Sequence, residues 1–281
     1  MLRALTAAAA VAIAALGVAS AAGNAEHPRD HDFSFERVFG SYDMAAVQRG
    51  FQVYNQVCSS CHALEHLSYR HLGEEGGPFA LYMVRDHETG EPTPHIGKPA
   101  HGGTFVEVTD NPYVREIAAA ATITDVDPNS GQLADRPGRV SDRFRRPFPN
   151  EIAARASNGG AYPPDLSVIT HARHGGADYV FSILTGYTGE KHGTQHVNPY
   201  FPGHYISMAP PLSDGLITYS DPNTPQTVDQ YAADVTTFLQ WAADPHMEER
   251  KRMGIVVLAF LLALSALLWL AYKQVWRGES H

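Results

Sequence analysis

Cys58-Ser59-Ser60-Cys61-His62 sets two thiols three residues apart and an imidazole directly after them. The order C-x-x-C-H is the attachment pattern of a c-type haem. Two thiols at a helix end reach the two vinyl groups along one side of the macrocycle, and the adjacent imidazole reaches the iron. Two other chemistries use paired cysteines. A structural zinc takes four ligands, and the chain has no second C-x-x-C, although its 15 histidines offer donors. A thioredoxin-like dithiol belongs in a βαβ setting, which the surrounding pattern lacks. The expectation is one haem c, held through Cys58 and Cys61, with His62 on the iron.

Outward from the motif, Val47, Phe51 and Tyr54 fall at i, i+4 and i+7, one face of a helix that Asp43 can cap. Gly50 lies inside that helix. Glycine there costs about 1 kcal/mol, so a close neighbour on that side is expected. A second helix is expected over 228–243, capped by Thr227, with Tyr231, Val235, Phe238, Leu239 and Ala242 among its apolar positions. A shorter one over 177–185 should end at Gly186. Residues 85–150 and 187–226 are rich in Pro and Gly without sustained periodicity, and read as irregular.

A haem iron has a sixth position, and a thioether there raises the potential and suits electron transfer. Of the six methionines, Met208 precedes Ala209-Pro210-Pro211, a proline-braced loop that can hold a sulfur at fixed distance. Met1, Met247 and Met253 fall in the apolar ends, and Met44 and Met83 lack such a brace. Spacing alone leaves Met208 and a second histidine as rivals.

The ends differ in kind. Met1-Leu2-Arg3, an Ala-rich run to Val18 and Ala19-Ser20-Ala21 have the build of a secretory signal peptide, read as 1–21. Residues 253–272 carry no charge, and twenty helical residues span the roughly 30 Å hydrocarbon layer. Glu248 to Arg252 precede this run, and Trp269, Tyr272 and Trp276 suit a membrane interface. The reading is an exported domain over 22–252, a transmembrane helix over 253–272 and a cytoplasmic tail over 273–281. Location follows: a bacterial plasma membrane, single-pass, with the haem domain in the periplasm. A net charge of −9 over 281 residues argues against nucleic acid as a partner. Two cysteines three apart exclude a disulfide-stapled scaffold.

Taken together, the residues resemble the cytochrome c1 family, the haem subunits of cytochrome bc1 complexes. The resemblance is carried by Phe33-Ser34-Phe35, Val57 to His62, Tyr162-Pro163-Pro164-Asp165-Leu166-Ser167 and Ala172-Arg173-His174-Gly175-Gly176-Ala177-Asp178-Tyr179-Val180. It continues through Leu184-Thr185-Gly186-Tyr187, Asn198 to Gly203, Met208-Ala209-Pro210-Pro211-Leu212 and Phe238 to Ala243, and it covers nearly the whole chain after the leader.

The resemblance implies a mainly α fold: a class I c-type cytochrome domain with long irregular insertions, plus the C-terminal transmembrane helix. In that fold the helix before the haem crosses the last helix of the domain. It implies Met208 as the sixth ligand, with Arg173 and Tyr179 near the haem and Arg173 toward a propionate. Pro163 and Pro164 would brace the His62 side, where a backbone carbonyl can take the Nδ1 proton. It implies cytochrome b, a Rieske iron–sulfur protein and a cytochrome c acceptor as partners. The chain itself would catalyse no bond chemistry; it would pass single electrons within a quinol–cytochrome c oxidoreductase. A free-standing anchored cytochrome c, or a haem enzyme or gas sensor with an open iron, are the competing functions. Relatives with an extra disulfide cannot be matched here, since only Cys58 and Cys61 exist.

Overall fold

The computed structural model describes residues 25–86, 89–100 and 102–278. The signal-peptide reading of 1–21 lies outside the described residues. Helix α1 (Met44–Gln56) starts where Asp43 accepts hydrogen bonds from the amides of Ala45 and Ala46. A short 3-10 turn, Cys58–Ser60, follows it directly. Next come α2 (Tyr69–Gly73), a small antiparallel sheet of β1 (Leu81–Arg85), β2 (Pro92–Ile96) and β3 (Thr104–Phe105), and α3 (Pro112–Ala119). A hairpin of β4 (Thr122–Val126) and β5 (Leu133–Pro137) precedes α4 (Glu151–Ser157), α5 (Ile169–Ala172) and α6 (Gly176–Thr185). A second small sheet, β6 (Lys191–His192), β7 (Gln195–Val197) and β8 (Tyr205–Ile206), leads to α7 (Val228–Ala243) and α8 (Met247–Val275).

The core forms where α1 crosses α7, as expected of this fold class. A side chain at Gly50 would place its Cβ 2.7 Å from the Phe238 Cβ and 2.6 Å from the Asp234 carbonyl carbon. Glycine is there because the two backbones touch. The ring of Tyr54 lies 5.7 Å from that of Phe238, and Phe51 meets Phe238 edge-on at the same separation. Beside the crossing, Arg49 grips Asp234 with two hydrogen bonds, Nε to Oδ2 at 2.9 Å and a terminal nitrogen to Oδ1 at 2.8 Å. The Tyr219 hydroxyl adds a third at 2.9 Å, so a fully buried carboxylate is satisfied from two elements.

Two expectations need adjustment. The 85–150 stretch holds the strands β2 to β5 and the helix α3 rather than unbroken irregular chain. Gly186 ends α6 with φ −94°, so no left-handed cap calls for it. A Cβ there would instead strike the Tyr200 ring and come within 2.6 Å of the Ser182 carbonyl oxygen. Residues 252 and 253 both lie within one continuous helix, α8, whose apolar stretch is uncovered.

Candidate functional site

A tight turn follows α1 immediately, and it is built from the cysteine motif. The amides of Cys61 and His62 both donate to the Cys58 carbonyl, at 3.1 and 2.8 Å. Ser59 and Ser60 turn their hydroxyls back onto the carbonyls of Asn55 and Val57, at 2.7 and 2.8 Å. Carbonyls freed by the end of the helix are thereby satisfied. Cys58, Cys61 and His62 thus leave one tight turn. Both thiols are free and partly exposed. Burial pushes the Cys58 thiol up to about 12.

His62 is fixed from two sides. Its carbonyl accepts from the Tyr54 hydroxyl at 3.0 Å, and its Nδ1 lies 2.8 Å from the Pro164 carbonyl oxygen. A carbonyl only accepts, so Nδ1 holds the proton and Nε2 keeps its lone pair. Burial lowers the imidazole pKa, opposed by the Pro164 carbonyl and by Asp165, and keeps the ring neutral. Pro164 itself is held by its neighbours. The Leu166 amide donates to the Ala63 carbonyl at 2.9 Å, and Asp165 accepts from the Glu65 amide at 2.8 Å. The His66 amide donates to the Ser167 hydroxyl at 3.1 Å. Residues 62–66 and 164–167 therefore run as a laced pair. Pro163 and Cys61 line one narrow cleft with Tyr162 and Asp165.

Met208 is half-buried on the bend that follows β8. Its carbonyl accepts from the Tyr187 hydroxyl at 3.0 Å, and Leu212, past the two prolines, is buried in the core. The loop is pinned at both ends without a disulfide. Arg173 ends α5 and is exposed, with one guanidinium nitrogen on the Ala172 carbonyl at 3.1 Å. Tyr179, one turn into α6, is half-buried; burial raises its pKa and the nearby Arg173 charge pulls it back. So the structure gathers Cys58, Cys61 and His62, ties His62 to Pro164, and sets Arg173 beside Tyr179.

Three residues do more here than the sequence reading assigned to them. Tyr54 shares a helix face with Val47 and Phe51, and its hydroxyl also holds the His62 backbone. Asp165 and Tyr187 lie in the quoted motifs, but nothing local announces which distant backbone they bind. The zinc alternative finds no support in geometry. Among the described residues, the only set of three converging His, Cys, Asp or Glu ligand atoms is Asp30, Glu36 and Asp178. Neither cysteine belongs to it. Two thiols, an imidazole with a free Nε2 and a thioether on a pinned loop are instead a donor set that fits haem c.

Residues 33–279 match the model of the Cytochrome C1 family. The chain is 40% identical to "Cytochrome b/c1" of Bradyrhizobium diazoefficiens over 302 residues, covering 99% of this chain but 39% of that longer protein. It is 37% identical to "Cytochrome c1" of Rhodospirillum rubrum, over 96% of this chain and 97% of the relative. It is 43% identical to "Cytochrome c1-2, heme protein, mitochondrial" of Solanum tuberosum, over 84% and 80%. A family match over so much of the sequence, with full-length similarity to a bacterial relative, means that this chain belongs to the cytochrome c1 family.

Proposed function

We propose that this chain is the haem-carrying subunit of a cytochrome bc1 complex. One haem c would be bound covalently through Cys58 and Cys61, with His62 and Met208 as the residues that hold its iron. Electrons would arrive singly from a Rieske iron–sulfur protein and leave to a cytochrome c. The observation that carries the reading is the His62 Nδ1 to Pro164 carbonyl contact at 2.8 Å within the C-x-x-C-H turn. It orients a neutral imidazole and leaves Nε2 as its only free donor atom. The bound haem supplies a one-electron couple; the chain supplies its setting. Tyr187 steadies the loop that presents the Met208 sulfur. Arg173 offers an exposed guanidinium suited to a propionate, and Pro163 and Pro164 brace the imidazole side.

Domain limits and location belong to the same proposal. A leader over 1–21, an exported haem domain over 22–252, a span over 253–272 and a cytoplasmic tail over 273–281 place the haem in the periplasm. Cytochrome b would hold the quinol sites beside α8.

The test is the reduced-minus-oxidised spectrum of the protein extracted in mild detergent, paired with Met208→Leu. A c-type band accompanied by b-type haem is expected. The variant should keep its c-type band, lose potential and bind CO when reduced. An unchanged potential would remove Met208 from the iron. A c-type band without b-type haem, under extraction that keeps partners bound, would favour a free-standing shuttle. No haem band would overturn the roles of Cys58, Cys61 and His62.

A further inference from the structure

Residues 33–42 form a compact arm laid along the start of α8. Phe33 and Phe35 are buried and stacked with centroids 4.9 Å apart. Between them and Tyr42 the chain makes a tight turn, closed by the Gly40 amide on the Arg37 carbonyl at 2.8 Å and by the Ser34 hydroxyl on the Ser41 carbonyl at 2.8 Å. At Gly40 a Cβ would run into the Ser34 carbonyl oxygen. The turn is therefore well determined, yet its tip presents two adjacent apolar side chains to solvent: Val38 is 73% exposed and Phe39 83%. Single exposed apolar residues are ordinary; an adjacent pair on a built turn asks for a covering surface.

The contacts with α8 say which surface. The Tyr42 amide donates to the Glu248 carboxylate at 2.8 Å. Lys251 Nζ donates to the carbonyls of Phe35 and Arg37, at 2.6 and 2.7 Å. Followed from Tyr42 back to Arg37, the arm's partners on α8 move from Glu248 to Lys251, toward the apolar span. The turn that carries the tip is held by Lys251, which stands two residues before the uncharged run opens at Met253. An exposed aromatic and aliphatic pair, with the Lys251 ammonium holding the backbone of the same turn, suits a membrane interface, where apolar groups enter the headgroup region and cations stay above it.

We propose that Val38 and Phe39 dip into the headgroup–acyl boundary of the bilayer beside α8, giving the haem domain a second point of membrane contact. The inference rests on the reading of α8 as a membrane span. The partner is lipid rather than protein because the pair flanks the place where the chain's own apolar helix emerges.

The experiment replaces Phe39 with p-benzoylphenylalanine in the full chain, in its native membrane and assembled with its partners, then irradiates and identifies adducts by mass spectrometry. The same group at Val38 is a second probe. At Leu262, in the middle of the uncharged run, and at Leu133, on the β4–β5 hairpin, it gives the two references. Lipid adducts at 39 and 262 but not at 133 are the expected result. Lipid adducts at 262 with none at 38 or 39 would overturn the proposal alone. Adducts at 38 and 39 to another polypeptide would overturn it in favour of a protein partner. No lipid adduct at 262 would take the span reading down with it.

Discussion

Gly50 shows how much of the fold hangs on one missing side chain. In Gly50→Ala the new methyl must enter space held by the Asp234 backbone and the Phe238 Cβ, neither of which is a flexible chain end. The helices must part, and overpacking of this kind costs about 1–3 kcal/mol or more. For a domain of this size that is about 2–4 °C of melting temperature per kcal/mol. Thermal unfolding of the variant followed by circular dichroism should show the drop, and an unchanged midpoint would mean that α1 and α7 are not in contact there. Glu36 is a second residue with its own signature. Partial burial, and then repulsion from Asp178, Asp30 and Asp32, push its carboxyl up from 4.5 to about 7. A carboxyl raised in the native state holds its proton longer folded than unfolded. Its contribution to stability is then fully present below about 4.5, is lost as pH rises to about 7, and changes no further above. The side chain still meets water, so the effect is damped. Glu36→Gln should flatten that slope in melting temperature against pH; an identical slope in the variant would assign it to other groups.

At the scale of elements, α1, α7 and the 212–226 segment are joined by one polar knot. Arg49 and Tyr219 satisfy Asp234, and the carboxylate in turn raises the pKa of Arg49. Removing one partner from a buried pair strands the other, at about 3–5 kcal/mol. Arg49→Met should therefore destabilise the domain by more than Gly50→Ala, as read by denaturant midpoint at constant slope. A loss within error of zero would show that water reaches Asp234. The elements in this knot were legible because their physics is local: Asp43 and Thr227 cap, and apolar residues recur at helical spacing between. The strands were not. β2 is Pro92-Thr93-Pro94-His95-Ile96, almost wholly exposed, and β4 and β5 pair charged and apolar residues on a solvent face. Such strands have no buried side to impose alternation, and two prolines argue against a strand on sequence alone. The hairpin turn at Asp127-Pro128-Asn129-Ser130-Gly131 carries recognisable turn chemistry, but its flanks gave it nothing to join. The site divides in the same way. Cys58, Cys61 and His62 are adjacent in sequence and were readable there. The links from Tyr54 to His62, from His62 to Pro164 and from Tyr187 to Met208 depend on which distant backbone the fold delivers.

For the whole molecule, α8 is part domain structure and part uncovered apolar helix, and that division decides how the chain can be cut. Met247 is 3% exposed and belongs to the core, Glu248 binds the Tyr42 amide, and Lys251 holds the arm at Phe35 and Arg37. The first turn and a half of α8 is therefore domain structure, and the apolar remainder is not. A chain ending at Arg252 should leave the membrane and keep the arm in place. One ending at Asp244 sheds the same apolar helix but also unplugs Met247, and burying such a side chain is worth about 1.5–3 kcal/mol. Both forms should stay in solution without detergent. The shorter should melt lower, by about 2–4 °C for each kcal/mol lost, and should expose Phe33 and Phe35 to limited proteolysis. Equal midpoints and equal protease resistance would mean that the arm and the core stand without α8, leaving the helix as a pure anchor. The expected inequality would instead make the haem domain's last structural piece the very segment that ties it to the bilayer, so that membrane anchoring and domain stability are properties of one helix.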